Sequence, residues 1–418
     1  MTYLHIANTV LSILFLVLYF YQLVYIPIGM FYKHKIRDNV KKHKYACLIC
    51  ARNESLVISN LIDSINTQNY DGSLVTVFVL ADNCTDDTAD VSRAHGAVVY
   101  ERHDLEKIGK SFALCALLDN IKRDYPSGFD GYFVFDADNV LDKNFIKNMN
   151  RVFDDGHEIV TSYRNSINYG DNWISAGYGL WFLRESKYLS MPRTAINASC
   201  AVSGTGFLFS QSVLDEMGGW HFNTLVEDIE FSVHHILNGR KIAMAPDAVL
   251  YDEQPTTFSQ SWRQRMRWSK GYLQVFAKYW KKMVSGITKS FALYDMTMSI
   301  APIFVLSLIG LVLNIASAIT HFSVGDNFGG VYYLFSTFIN IYISLFFFGA
   351  VTTATEWKNI HTSAVKKIFY VFTFPIFMMT YIPIAIKAVF TKNVEWKLIY
   401  HVGGKNNKNG TKKCDGVK

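Results

Sequence analysis

The sequence predicts an α/β domain, a mostly parallel sheet with helices on both faces, joined to transmembrane α-helices. Three observations carry this. Short, near-continuous apolar runs alternate with helical patterns between residues 45 and 135, the pattern of strands buried on both faces. Four longer apolar runs, 6–31, 291–320, 331–355 and 368–390, each reach the ~20 residues needed to cross a bilayer. The composition, 50% hydrophobic but 18% charged, is too apolar for a soluble domain and too charged for a bundle of spans alone.

Taken in order, residues 45–51 (YACLICA) form a first buried strand. A helical pattern follows through Leu56, Ile58, Leu61, Ile62 and Ile65. Residues 74–81 make a second strand ending at Asp82, 88–95 a short helix, 97–100 a third strand and 111–121 a helix. Residues 132–135 make a fourth strand ending at Asp136. In such sheets ligands bind beyond the carboxyl ends of the strands, and Asn53, Asp82 and Asp136 all fall there. Cys47 and Cys50 resemble half a metal site, but residues three apart in a strand point to opposite faces, and no second pair completes the set. They are expected to be core residues in a reduced compartment.

The first apolar run has no basic segment before it and no small-residue cleavage site after it, so it is expected to stay as a membrane helix. Lys33, Lys35, Arg37, Lys41, Lys42 and Lys44 follow it, whereas 290–357 contains no Lys or Arg. Basic flanks mark the cytoplasmic side. The expectation is therefore a plasma-membrane, multi-pass protein with an external N-terminus and a cytoplasmic globular domain. The expected division is an N-terminal span (1–32), the globular domain (33–255), amphipathic interfacial helices (256–289), a membrane region of two to three helices (290–392) and a basic tail (393–418). Pro375 and Pro383 interrupt the last apolar run, which suits a bent or re-entrant segment.

Four clusters carry chemistry. Asp136-Ala137-Asp138 follows a buried strand, where alternating acids can present oxygens to a hard divalent ion, which in turn neutralises a diphosphate. Asp82 ends the strand before it, placed for a base or ribose hydrogen bond; Asp86 and Asp87 are ordinary helix-start residues. Glu227-Asp228 precedes the helical pattern of Ile229, Phe231, Val233 and Ile236; an acid there is often a dipole partner, but a carboxylate can also take the proton of a hydroxyl. Gln264, Arg267 and Trp268 lie in 257–282, where basic and aromatic residues interleave. Most of that segment is expected to lie on an anionic leaflet. By spacing, these three share a helix face and offer an amide, a phosphate clamp and a stacking surface. The net charge of +6 is explained by membrane flanks rather than nucleic acid.

With these motifs in order, the chain resembles the inverting family 2 glycosyltransferases of GT-A fold. Its branch is the membrane-embedded one that includes cellulose, hyaluronan, chitin and poly-N-acetylglucosamine synthases and ceramide glucosyltransferase. The resemblance spans about 45–285 and rests on Ala51-Arg52-Asn53-Glu54, Asp82, Gly109-Lys110, Asp136-Ala137-Asp138, Ser203-Gly204-Thr205-Gly206, Glu227-Asp228 and Gln264-Arg265-Met266-Arg267-Trp268. It implies a donor site of Asn53, Glu54, Asp82, Lys110 and Asp136, with Asp82 on the uridine. It implies that Asp136 and Asp138 hold Mg²⁺ or Mn²⁺ against the diphosphate. Asp228 would be the catalytic base, and Glu227, Gln264, Arg267, Trp268, Gly204 and Thr205 would serve acceptor and diphosphate. Val226 departs from the Thr or Ser that many members carry before the acid.

Two activities follow as expectations. The first is transfer from a UDP-sugar to a growing β-linked extracellular polysaccharide; with three or four spans, a translocating channel would be narrow or would need an export subunit or a second copy. The alternative is a single transfer to a lipid acceptor of diacylglycerol or ceramide type. A third reading, a membrane scaffold or transporter subunit, must treat every acid at a strand end as coincidence.

Overall fold

The computed structural model describes residues 2–33, 40–300 and 302–392. Lys35, Arg37 and the basic tail lie outside the described residues. A long first helix, α1 (Thr2–Phe31), precedes the domain. Eight strands then form one sheet: β1 (Tyr45–Ala51), β2 (Val75–Asp82), β3 (Val98–Arg102), β4 (Gly131–Phe135), β5 (Val140–Leu141), β6 (Ile159–Ser166), β7 (Phe207–Ser210) and β8 (Ile242–Asp252). Their order is β3-β2-β1-β4-β7-β6-β8-β5. The first four are mutually parallel, β7 runs antiparallel to both its neighbours, β6 and β8 are parallel, and β5 pairs antiparallel with β8.

The helices between them are α2 (Ile58–Asn66), α3 (Thr88–Ala94), α4 (Lys110–Asp124), α5 (Phe145–Asp154), α6 (Trp173–Glu185), α7 (Met191–Ala195), α8 (Gln211–Met217) and α9 (Glu227–Leu237). The sheet separates two apolar cores. Cys47, Ile49, Phe133 and Phe135 point to one, with α2 and α5, and Leu48, Val134, Phe207 and Phe209 to the other, with α4 and α6. Cys47 and Cys50 serve opposite faces, as a period of two requires. All five cysteines among the described residues are free.

Beyond the sheet lie α10 (Phe258–Gly286), α11 (Phe291–Ile300), α12 (Pro302–Ser323), α13 (Asn327–Thr355), α14 (Ala364–Met379) and α15 (Tyr381–Phe390). Four segments are long and apolar enough to cross a membrane: Thr2–Phe31, Val305–Ser323, Asn327–Thr355 and Ala364–Phe390. Their outward faces carry bare apolar side chains such as Val17, Val312 and Ile343, an arrangement suited to a lipid solvent. The last segment is broken at Thr380. Pro383 has no N–H and its ring would collide with a carbonyl four residues back in a continuous helix, so α14 ends at Met379 and α15 starts at Tyr381.

The membrane segments are not appended loosely. Tyr370 and Phe374 of α14 enter the core beside α6. Arg193 of α7 grips Asp295 of α11 through two bonds of 2.7 Å, and Tyr25 of α1 donates to the same carboxylate at 2.7 Å. Removing one partner of such a buried pair leaves an uncompensated charge, so this cluster ties α1, α7 and α11 together.

Candidate active site

β2 and β4 end in carboxylates because a parallel sheet delivers the carboxyl ends of its strands to one edge. Asp82 closes β2, almost fully buried; its Oδ1 accepts from Arg102 Nη1 at 2.6 Å and from Asn83 Nδ2 at 3.2 Å. Burial holds its carboxyl above the usual range even against that guanidinium. Asp136 follows β4. Its backbone N–H donates to Thr205 Oγ1 and Asn139 Oδ1 at 2.9 and 3.0 Å, and its carboxylate meets Lys110 Nζ. Lys110 also donates to the Gly204 carbonyl at 2.7 Å. Burial opposes the Lys110 charge, but Asp136 and Glu227 outweigh it and keep the ammonium protonated.

Asp138 lies one step further on. Burial, then the charges of Asp136 and Asp252, push its carboxyl well above the ordinary range, against the pull of Arg164. Asp252 ends β8 and accepts from Arg164 Nε at 2.7 Å, while Arg164 Nη1 reaches the Ser203 carbonyl at 2.9 Å. One arginine thus holds the second acid, the end of β8 and the Ser203–Gly206 loop in register.

Glu227 and Asp228 open α9. Burial first, and Glu227 second, raise the Asp228 carboxyl to about 7. A Cβ placed on Gly204, at φ +79°, would lie 3.5 Å from Asp228 Oδ2, so the Gly204 loop bridges the Lys110–Asp136 pair and Asp228. Across from them, α10 is docked on the turn before α9. Arg267 Nη1 donates to the Leu225 carbonyl at 3.0 Å, and Leu225 N donates to Gln274 Oε1 at 3.0 Å. Gly271 permits this: a Cβ there would stand 2.7 Å from the Val226 methyls. The position that departs from the family pattern is thus filled by an apolar contact between α9 and α10.

These groups line one cavity of about 1730 Å³, larger than the ~300–1,000 Å³ of a single small-molecule site. Its wall includes Glu54, Asp82, Lys110, Asp136, Asp138, Gly204, Glu227, Asp228, Gln264, Arg267 and Trp268. Gln264 Oε1 is buried with no hydrogen-bond partner, a state that favours a ligand donor. Trp268 stands edge-on to Tyr178 and Phe182, with centroids 5.8 and 6.4 Å away. Two residues of the expected site lie behind the wall. Asn53 exchanges hydrogen bonds with Thr85, including Thr85 N at 2.7 Å, and Thr205 is buried beneath Asp136. Both brace loops.

Sequence reasoning missed Arg102, Asn139, Arg164, Asp252 and Glu230. Glu230, fully buried, accepts from Lys278 and Tyr279 of α10 and from Thr224 N; only its acidity inside an apolar helical stripe hinted at it. Arg265 reverses an expectation. It lies in the basic, aromatic segment most of which was expected on the membrane surface, yet it is wholly buried. It donates to the Phe377 carbonyl at 3.1 Å and to Thr380 Oγ1 at 2.6 Å, where α14 breaks, with its guanidinium 4.4 Å from the Phe377 ring centroid and 4.9 Å from that of Tyr381.

A family model described as glycosyltransferase like family 2 matches residues 43–271, more than half of the chain. A probable glycosyltransferase, YdaM, of Bacillus subtilis (strain 168) is 27% identical over 277 residues, 59% of each chain. A beta-monoglucosyldiacylglycerol synthase of Synechocystis is 25% identical over 240 residues, 56% of this chain and 49% of that one. The chain thus spans about half to three fifths of the length of these curated relatives. Among solved structures, a mannosyltransferase of Pyrobaculum calidifontis in complex with GDP-Man and Mn²⁺ superposes with a TM-score of 0.59 at 16% identity, covering 92% of this chain and 99% of that one; the likeness is one of fold. The chain belongs to glycosyltransferase family 2, with a GT-A-like domain and four candidate membrane spans.

Proposed function

We propose that this family 2 member transfers one sugar, with inversion, from a UDP-sugar to the hydroxyl of a membrane lipid of diacylglycerol or ceramide type. The observation that carries the reading is the continuity of the cavity. From Asp136 and Asp228 it runs past Trp268 and Tyr272 to Phe15 and Leu16 of α1, Val305 of α12 and Leu345 of α13. An acceptor anchored in the bilayer reaches the carboxylates sideways, without leaving the lipid. The relative named as a glucosyldiacylglycerol synthase supports the same acceptor class.

In this reading the donor lies along the ends of β2 and β4, with Asp82 toward the nucleoside and Lys110 and Arg267 toward the diphosphate. The acceptor oxygen forms a bond to the sugar's anomeric carbon as the bond to the diphosphate breaks, and its proton passes to Asp228. A carboxylate with a pKa near 7 accepts a proton and releases it again near neutral pH. Asp136 and Asp138 are oxygen donors suited to Mg²⁺ or Mn²⁺. Among the described residues no three His, Cys, Asp or Glu side chains converge to hold an ion by themselves. Asp136 and Asp138 would hold the ion, which would supply charge neutralisation for the leaving diphosphate. The globular domain faces the cytoplasm at the plasma membrane, as the basic flank requires.

Extension of a β-linked polysaccharide is the second reading. Polar groups of the spans, Asn314, Thr337, Asn340 and Ser344, line the same cavity and suit a hydroxyl-rich chain. The deciding experiment supplies labelled UDP-sugars to the purified protein in vesicles with and without diacylglycerol, followed by sizing of the product. A single-sugar lipid, lost on removal of metal with EDTA, is expected. Product of polymer length would establish the second reading instead, and undiminished transfer after metal stripping would remove the ion from the mechanism.

A further inference from the structure

Arg184 ends α6 where the domain meets α1 and α13. It is 8% exposed. Among the described residues its one hydrogen-bond acceptor is a neutral amide, Gln22 Oε1, at 2.9 Å. No carboxylate of the described residues comes within the 4.0 Å of an ion pair. Arg102, Arg164 and Arg193 each have one. A buried guanidinium without a counter-ion is costly, and burial lowers the Arg184 pKa to about 10.

The neighbouring Glu185 does not discharge this role. Its charge acts on Arg184 but is shared with Arg164 and Arg193, and it forms no ion pair with the Arg184 guanidinium. Arg184 and Gln22 both line the large cavity. The guanidinium lies 5.2 Å from the Trp181 ring centroid and 4.7 Å from that of Phe348. Gln22 and Phe348 sit about two to three turns before the domain-side ends of α1 and α13, and the wall beyond is apolar, with Phe15, Leu16, Val305 and Leu345.

We propose that Arg184, steadied by Gln22 Oε1, binds the phosphate of an anionic phospholipid, whose acyl chains lie in the groove between α1, α12 and α13. The charge is complementary, and the guanidinium can bond two phosphate oxygens at once. Basic pockets between spans on the cytoplasmic side are suited to lipid head groups. The site shares its apolar groove with the acceptor route proposed above, but its test reads lipid retention and the unfolding midpoint rather than transfer, so its failure and that of the proposed activity are separable.

The test uses the full chain in nanodiscs of phosphatidylcholine with a minor share of dioleoylphosphatidylglycerol. Lipid retained after detergent washing is measured by mass spectrometry. Wild type should retain phosphatidylglycerol in preference to phosphatidylcholine, and Arg184→Gln should retain at least ~10-fold less, the loss of a charge-assisted bond. Gln22→Leu should keep most of it, and Arg184→Lys, which keeps the charge but not the two-bond fork, should fall between wild type and Arg184→Gln. Phosphatidylglycerol should also raise the unfolding midpoint of wild type, a readout that needs no variant. Equal retention by Arg184→Gln, or no preference and no midpoint shift in wild type, would overturn the site. Displacement of the lipid by millimolar inorganic phosphate would assign it to a free phosphate instead.

Discussion

The two sides of the cavity are built on different terms. On the sheet side, Asp82 and Asp136 are delivered by strand ends, and each has a support close in sequence, Arg102 20 residues from Asp82 and Asn139 three from Asp136, beside the longer reach of Thr205 to Asp136. On the helical side, the helix that carries Gln264, Arg267 and Trp268 is held by groups far along the chain. Arg265 reaches Phe377 and Thr380, more than a hundred residues away, and Tyr178 and Phe182 back Trp268 from α6. The sheet side is fixed by backbone topology and resists local change; the helical side is fixed by side chains, so single substitutions should disturb it. Asp228 sits on the boundary, at the first turn of a helix that faces the sheet's loops and docks α10.

The largest expected effect is at that boundary. Asp228→Asn should lower transfer by about 10²–10⁴, the usual contribution of a general base, and leave UDP binding nearly unchanged. Calorimetric titration of UDP beside turnover separates the two. More than about a tenth of wild-type turnover would place the base elsewhere. The second effect tests the asymmetry itself. Arg265→Ala empties a large buried volume and leaves the broken end of α14 without its donor. A cost on the order of 2–5 kcal/mol is expected, read as a lowered unfolding midpoint in detergent. Thr85→Ala, which removes the Oγ1 acceptor of Asn53 Nδ2 on the sheet side and keeps the backbone bond to Asn53 Oδ1, should cost under about 1.5 kcal/mol, the net worth of an ordinary hydrogen bond. Similar losses in the two variants would erase the distinction.

The same asymmetry decides what could be seen in the sequence. The first four strands and their helices were legible because each is a short apolar run ending in a turn, and a parallel sheet needs nothing more local than that. The acids at strand ends followed. The second half of the sheet was not legible: β6 and β8 carry polar residues such as Asn165, Ser166 and Asp252 that are buried by pairing with each other, which no local pattern announces. α6 is apolar nearly all round, so its periodicity points nowhere. Arg164 and Asp252 are 88 residues apart, and Arg265 looks by charge alone like its exposed neighbour Arg263. The spacing of Gln264, Arg267 and Trp268 did place them on one wall of the cavity.

Trp268 offers a smaller, sharper test of the helical side. Its ring edges meet Tyr178 and Phe182 while the residue lines the cavity, so it can anchor α10 and stack on a sugar or head group. Trp268→Ala should raise the acceptor KM by about tenfold or less, the worth of an aromatic contact, with UDP binding unchanged. If Trp268 serves only to anchor the helix, yield and activity should fall together in Trp268→Ala and recover together in Trp268→Phe. Full activity with unchanged acceptor KM in the alanine variant would remove it from the site.

The smallest effect is on stability, and its sign is unusual for a lost charge. Asp228 has a folded pKa of about 7 against ~3.9 in an unfolded chain. Between those values the folded state binds the extra proton, so ∂ΔG/∂pH of unfolding is negative and this group's contribution falls as pH rises. Above pH 7 the folded protein holds a partly buried carboxylate in its charged form, at a cost. Asp228→Asn cannot charge, so it should unfold a few degrees higher than wild type at pH 8, roughly the shift that 1 kcal/mol produces in a domain of this size, and the advantage should shrink as pH falls toward 5. Activity should run the other way in wild type, falling about tenfold per unit below pH 7 as the base is protonated. A wild-type rate that is flat from pH 5 to 8, with no stability gain in Asp228→Asn at pH 8, would mean that the carboxylate is ordinary and that the boundary between the two sides holds no tuned base.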